Sequence, residues 1–188
     1  MKHCRVWALV FLLLMLPAAV WAGDPAERSP FLKLCAEGSP SAIWKAVSTG
    51  AKVEEKDENG MTALMYAAAY NKNPLSAVEL IRLGANVHAR SNDTLTPLMW
   101  AAALNPTTDV IISLLQAGAE VNDRTDNGWT ALMWAAYQNP NQKVIVKLLD
   151  AGADPTRGRL GKKALDFARA RPELKGTEAL HRLENADR

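Results

Sequence analysis

The chain has 188 residues, with 22 Lys and Arg against 20 Asp and Glu, and two cysteines. Two of the basic residues, Lys2 and Arg5, lie at the N-terminus, so residues 23–188 carry 20 basic and 20 acidic side chains. This balance gives no electrostatic reason to expect nucleic acid or an anionic membrane as a partner. Cys35 is the single cysteine of residues 23–188, which excludes an internal disulfide there.

The N-terminus has the pattern of a secretory signal peptide. Lys2 and Arg5 precede an apolar run at Val6–Leu16, Pro17 interrupts the run, and Val20-Trp21-Ala22 supplies small residues for cleavage after Ala22. We therefore expect a signal peptide at residues 1–22, a short disordered leader at 23–28 and a periplasmic or secreted protein. The alternative is an uncleaved membrane anchor, for which Val6–Ala22 is at the short limit of length.

The rest of the chain repeats itself every 34 residues. Threonine recurs at Thr62, Thr96 and Thr130, within the segments T-A-L-M-Y-A-A, T-P-L-M-W-A-A and T-A-L-M-W-A-A. A period of about 20–50 residues is typical of repeat arrays, in which each unit buries its apolar face against its neighbours. Two further sets keep the same spacing: Asn71, Asn105 and Asn139, and Gly84, Gly118 and Gly152.

These recurring residues predict a helix, a turn, a second helix and a hairpin-like loop in each unit. Each threonine is a candidate N-cap for the first helix, and Pro97 falls at the favoured first helical position. Each asparagine is expected to end the first helix in a left-handed conformation, as glycine does for the second helix. Ser39-Pro40 predicts the start of an earlier helix, and Thr177 that of the last one.

The segments Thr96–Ala102, Leu114–Asn122 and Asp126-Asn127-Gly128 resemble the ankyrin repeat, whose signature is T-P-L-H-x-A. The resemblance is to the bacterial exported type and implies an all-α solenoid with units of about 34 residues over residues 29–188. The histidine of the signature is methionine here, and the array is expected to divide as follows: N-terminal cap 29–60, repeats 61–94, 95–128 and 129–161, and C-terminal cap 162–188.

The resemblance also implies a surface that binds a partner protein on the concave side, through the hairpin tips and the exposed face of the first helix. Three rows of residues map to that side: an apolar row just before each threonine, a basic row on the hairpins, and a row at the end of the first helix. The predicted partner-binding residues are Met61, Leu95 and Trp129; Lys56, Arg90 and Arg124; and Tyr70, Leu104 and Tyr137.

A structural role is the competing interpretation of these rows. Trp129 can pack on its own hairpin, and Met61 and Leu95 can be partly buried between units. The basic row can be a solvated edge that pairs with Glu58, Asp93 and Asp126. Tyr66, Trp100 and Trp134 are assigned to the core between units, because each lies between a methionine and the paired alanines of its helix.

The sequence shows no pattern typical of catalysis, so we expect no catalytic residue, metal or cofactor, and a monomer that binds an unidentified protein as a scaffold or stoichiometric inhibitor. His88 and His181 lie far apart in residues 23–188, without ligand spacing. Two alternatives remain open: a membrane-tethered spacer that keeps residues 1–22, and a metal- or thiol-dependent enzyme or carrier that uses Cys35 and His88. Cys35 can be a buried side chain or form an intermolecular disulfide.

Overall fold

The computed structural model describes residues 29–156, 158–159 and 162–186, so the predicted signal peptide and leader lie outside the described residues. Within these ranges no helix combines the length and the apolar character that crossing a membrane requires. The described residues form ten α-helices: α1 Pro30–Glu37, α2 Pro40–Ser48, α3 Ala63–Tyr70, α4 Pro74–Arg82, α5 Pro97–Leu104, α6 Thr108–Gln116, α7 Ala131–Gln138, α8 Lys143–Asp150, α9 Ala164–Arg169 and α10 Glu178–Ala186.

The helices stack in two layers. The first-helix layer is α1, α3, α5, α7 and α9, and the second-helix layer is α2, α4, α6, α8 and α10, with each helix packed on the neighbouring helices of its layer. The predicted all-α solenoid of helix-turn-helix units is thus confirmed. Outside the helices, the two short strands β1 Gly158–Arg159 and β2 Lys162–Lys163 pair in antiparallel fashion, and a 3₁₀ turn spans Pro172–Leu174.

The threonines act as the predicted N-caps. The side-chain oxygens of Thr62, Thr96 and Thr130 each accept a hydrogen bond at 3.3 Å from the backbone N–H three residues later. That N–H belongs to the methionine that replaces the family's histidine, and Met65 also accepts the Thr62 N–H through its sulfur at 3.4 Å. Met65 thus keeps a contact at the start of its helix, and in all three units the threonine caps the first turn with methionine in place of histidine.

The two kinds of helix end differ from each other. Gly84, Gly118 and Gly152 follow the second helices with φ of 97°, 94° and 84°, so they stop the helix in the predicted left-handed region. The prediction for the asparagines is wrong: Asn71, Asn105 and Asn139 end the first helices in an extended conformation, with φ of −75°, −86° and −64°. Their side chains are buried instead, and the reason lies in contacts between units.

Hairpin loops connect the units as predicted, and one of them contains a strained residue. Gly60 and Gly128 have φ of 73° and 75°, and the equivalent residue of the middle hairpin is Thr94, with φ of 63°. A β-branched residue in this region is an outlier, because its side chain clashes with its own backbone. The Thr94 hydroxyl accepts a hydrogen bond from the N–H of Asp126 in the next hairpin at 2.9 Å. This contact joins two neighbouring hairpins at their tips.

Substituting Thr94 tests this strain. We expect Thr94→Asn to raise the free energy of unfolding by about 1 kcal/mol, because asparagine tolerates positive φ and its side-chain oxygen can still accept the Asp126 N–H. Thr94→Val keeps the branched side chain but loses the acceptor, so it should destabilise the protein. Urea unfolding followed by circular dichroism measures both changes, and equal stabilities for the two variants would contradict the interpretation.

Candidate binding surface

The residue before each threonine is held by its hairpin. The backbone N–H of Met61 donates to the side chain of Asp57 at 2.7 Å, and its carbonyl accepts from the Asp57 N–H at 3.1 Å. Leu95 makes the same two contacts with Ser91. Both side chains belong to the core and are only 0% and 4% exposed. The prediction that Met61 and Leu95 project from the loop toward a partner is therefore wrong, because both side chains fill the core between the helices. Trp129 makes the same pair of bonds with Thr125.

Trp129 occupies the same position in the last full unit but is only partly buried, and it packs within an aromatic cluster. Its ring centroid lies 4.5 Å from that of Trp134, 4.7 Å from Phe167 and 5.7 Å from Tyr137. We call these four residues the aromatic cluster. Phe167 belongs to α9, so the cluster joins the last full unit to the C-terminal cap. Tilted and edge-on ring pairs at these distances stabilise one another beyond simple burial.

The row at the end of the first helices is partly exposed. Tyr70, Leu104 and Tyr137 are half-buried side chains that pack on the core with one face. The ring centroids of Tyr70 and Tyr66 lie 6.0 Å apart. Tyr66, Trp100 and Trp134 are buried as predicted, with exposures of 0%, 5% and 7%. Of the predicted apolar positions, the structure therefore leaves Trp129, Tyr70, Leu104 and Tyr137 accessible to a partner.

The basic row divides in the structure. Lys56 and Arg124 are exposed side chains, whereas Arg90 is engaged by the neighbouring hairpin. The Arg90 guanidinium donates to the carboxylate of Asp123 at 2.7 Å and to the Arg124 carbonyl at 2.9 Å. Its partner is thus Asp123, which was not among the carboxylates expected from the sequence. Arg90 therefore links two hairpins while its side chain stays 39% exposed, and all three cations of the row face solvent.

The buried asparagines form a ladder that links each unit to the preceding one. The side-chain N–H₂ of Asn105 donates to the carbonyls of Ala68 and Asn71, both at 2.9 Å, and that of Asn139 donates to the carbonyls of Ala102 and Asn105 at 2.8 and 2.9 Å. The acceptors lie at the end of the first helix, where carbonyls have no partner within the helix. Asn71 makes the equivalent bonds to the carbonyls of Cys35 and Gly38.

Arg171 takes the asparagine's place in the C-terminal cap. Its guanidinium donates to the Asn139 carbonyl at 2.9 Å and to the carbonyls of Ala135 and Ala136 at 3.3–3.4 Å. The Arg171 side chain is only 13% exposed. The asparagine ladder therefore extends from α1 to the C-terminal cap. It holds the first-helix layer, and hence the accessible row on it, at a fixed spacing.

Cys35 and His88 do not form a site. Cys35 is fully buried on α1, whereas His88 is exposed in a loop after α4. Burial raises the pKa of the Cys35 thiol to about 12, and the charge of Glu55 adds to the shift, so the reactive thiolate is disfavoured. Across the described ranges, no group of three or more His, Cys, Asp and Glu side chains could hold a metal. The geometry gives no support to an enzyme or carrier that uses this pair.

The burial of Cys35 predicts a slow thiol reaction. We expect an alkylating reagent at neutral pH to modify Cys35 only after denaturant unfolds the protein, because the native thiol is both inaccessible and protonated. Mass spectrometry of the peptide that contains Cys35 measures the extent of modification. Leu75→Cys, at an exposed position, provides the control, and comparable native labelling rates at the two positions would contradict the prediction.

The same thiol predicts alkaline sensitivity. A folded-state pKa of about 12 lies above the ordinary value of 9.0, so the folded state retains a proton that the unfolded state loses. The corresponding stability is fully present below pH 9 and is lost as the pH rises toward 12. Comparison of thermal unfolding for the native sequence and Cys35→Ala between pH 8 and pH 11 measures it. The variant should show the weaker dependence on pH, and identical slopes would contradict the assignment.

Comparison with known families agrees with this geometry. A family model described as ankyrin repeats, in three copies, matches residues 68–159. The fold of residues 68–159 is that of ankyrin repeats. This segment begins within α3 and includes α4 to α8, the described helices whose units keep the full motif, and it implies an interaction with partner proteins. A search of curated proteins gave no significant match.

Proposed function

We propose that this ankyrin-repeat protein acts outside the cytoplasm and binds a partner protein on the side formed by its first helices and hairpins, as a scaffold or stoichiometric inhibitor. The observation that carries the proposal is the row of half-buried Tyr70, Leu104, Tyr137 and Trp129 on one side of the array. Aromatic and apolar side chains that are already ordered by packing contribute much to binding, because little side-chain entropy is lost.

Charge supports the same side of the array. Lys56 and Arg124 are exposed cations on the hairpins. The same hairpins carry exposed Glu58, Asp93 and Asp126, so the rim has charges of both signs. A charged rim around an apolar centre is typical of specific interfaces. Export is supported by the sequence pattern of residues 1–22, with its basic start, apolar run and small residues before Gly23.

Site-specific photo-crosslinking tests the binding side. A photoreactive side chain at Gln138, beside Tyr137, should give one discrete adduct in the extracytoplasmic fraction of the producing cells, and excess unlabelled protein should compete with it. The combined substitutions Arg124→Glu and Leu104→Gln should remove the adduct. The matched control is Lys147→Glu with Val146→Gln on α8 of the second-helix layer, where equal loss of the adduct would contradict the proposed side.

N-terminal sequencing of the purified protein tests its location independently. A chain that begins at Gly23 agrees with export and cleavage. A chain that begins at Met1 in the membrane fraction supports the tethered alternative and leaves the crosslinking result to decide the binding side.

A further inference from the structure

Three large apolar side chains are strongly exposed in the described part of the chain. Trp44 is 50% exposed, Leu75 is 59% exposed and Val78 is 40% exposed. All three lie in the second-helix layer at its N-terminal end, Trp44 on α2 and the others on α4. Ile43 and Ala77, their immediate neighbours in sequence, are buried. The three side chains therefore point away from the stack, on the layer opposite to the first helices, and we call them the outer patch.

The repeat itself shows that the outer patch is confined to this end. Leu75 corresponds, at 34-residue spacing, to Asp109 on α6 and Lys143 on α8, which are exposed charged residues. Trp44 and Val78 occupy equivalent positions in neighbouring units, and the equivalent residues of the next two units, Ile112 and Val146, are less exposed. The architecture thus tolerates charge at the position of Leu75. Packing within the array therefore does not require a leucine at position 75. Exposed apolar clusters are typical of surfaces that contact another molecule.

The charges around the outer patch are mainly positive. Lys45 follows Trp44 on α2, and Lys72 lies just before the start of α4; both are exposed. The acidic residue of α4, Glu79, is bound by the Arg82 guanidinium through contacts of 2.7 and 3.0 Å. α2 has no acidic residue. Glu37, at the end of α1, is an exposed carboxylate near the same edge, because the adjacent Gly38 accepts hydrogen bonds from Asn71 and Ser76. The patch thus combines apolar side chains with two exposed lysines and one exposed glutamate.

We propose that the outer patch docks the N-terminal end of the array on an anionic lipid surface. Tryptophan favours the boundary between headgroups and acyl chains, because its ring has an apolar body and a polar N–H. Lysines beside an anionic leaflet add electrostatic attraction to the apolar contact. A stable protein interface uses about 20–30 residues on each side, so a raised patch of three apolar residues suits a soft lipid surface better.

The position of the patch in the chain agrees with this partner for as long as residues 1–22 stay attached, which is before cleavage or in the tethered alternative. The apolar run Val6–Leu16 ends 14 residues before Pro30, where α1 begins. At about 3.3–3.6 Å per residue, this connection spans at most about 50 Å, comparable with the thickness of one bilayer. The outer patch therefore belongs to the end of the array that is closest in sequence to the apolar run. Docking there leaves the opposite, first-helix side free for a partner protein.

A fluorophore at the patch tests lipid contact directly. We would use the chain that begins at Gly23, which lacks Cys4 and the apolar run, and attach an environment-sensitive nitrobenzoxadiazole label to Leu75→Cys, because the buried Cys35 does not compete for the label. The matched control carries the label at Lys143→Cys, the same helical position two units away. With vesicles of equal parts phosphatidylcholine and phosphatidylglycerol, the label at position 75 should shift to the blue and be quenched by nitroxide lipids, and the label at 143 should not.

Substitution of the other patch residues tests the cause. Trp44→Ser with Val78→Ser should lower the affinity for vesicles, as reported by the label at position 75, by about tenfold, because the apolar area that enters the lipid is lost. Lys45→Glu with Lys72→Glu should lower the affinity for anionic vesicles without changing the core. This second variant keeps the test valid if the first variant does not fold. Equal signals at positions 75 and 143 would overturn the proposal, and so would a blue shift that depends on protein concentration in the absence of vesicles.

Discussion

Replacement of Asn105 with alanine should lower the free energy of unfolding by about 2–4 kcal/mol, although no charge or large apolar group is removed. The side chain donates to the carbonyls of Ala68 and Asn71 and accepts the N–H of Thr107 at 2.8 Å. Asn105 is only 1% exposed, so water cannot readily replace these bonds. Buried polar groups that lose their partner cost more than the bond itself contributed. Urea unfolding followed by circular dichroism measures the loss.

Two further variants show whether the donated bonds are responsible. Asn105→Asp has nearly the same shape but cannot donate when ionised and brings a charge toward two carbonyls, so it should destabilise at least as much as alanine. Asn86→Ala removes an exposed asparagine that accepts one bond from the His88 N–H, and it should change stability by less than about 0.5 kcal/mol. A loss for Asn105→Ala as small as that for Asn86→Ala would contradict the ladder's role.

Replacement of Trp129 with alanine should cost about 2–3 kcal/mol, less than for a fully buried tryptophan because the ring is partly exposed. The loss should be local. Trp129 contacts Phe167 of α9, so the amides of α9 and α10 should lose hydrogen-exchange protection before those of α3 to α6. Hydrogen exchange read by mass spectrometry on peptides of each unit measures this order, as expected for repeat proteins in which units contact only their neighbours.

The matched control is Trp129→Phe, which keeps an aromatic ring against Phe167 and Trp134. It should retain most of the protection of the C-terminal cap. If Trp129→Ala instead lowers protection equally in all units, the aromatic cluster does not specifically fasten the cap. This measurement also decides how binding data for Trp129 are interpreted, because a variant that loosens the cap can lose a partner without removing a direct contact.

The repeat, its helices and their caps could be predicted because the same local signals recur in phase. A threonine before an apolar helix and a glycine after such a helix depend only on the backbone conformation of the few residues around them. The side-chain direction of Met61 and Leu95 is a different kind of property. It follows from a space between the helices that has to be filled. No local pattern contains that information.

The asparagines show where a local rule gave the wrong answer for a visible reason. Glycine follows the second helices at Gly84, Gly118 and Gly152, where the backbone turns left-handed, but asparagine ends the first helix in each of the three full units. An invariant preference for asparagine over glycine among the copies indicates that a side chain is required. The sequence contains that signal, although it does not identify the acceptors. Arg171 carries no comparable signal, because it has one copy and a different residue type.

The asparagine ladder gives the array a direction. Each asparagine completes the first helix of the unit before it, so a unit is finished only by the unit that follows. A chain shortened from its C-terminus therefore exposes helix-end carbonyls that it previously satisfied, whereas one shortened from its N-terminus exposes only a donor at a new surface. During synthesis, which proceeds from the N-terminus, the first helix of each unit is completed only after the next unit has formed, and the ladder is complete once Arg171 has folded onto Asn139.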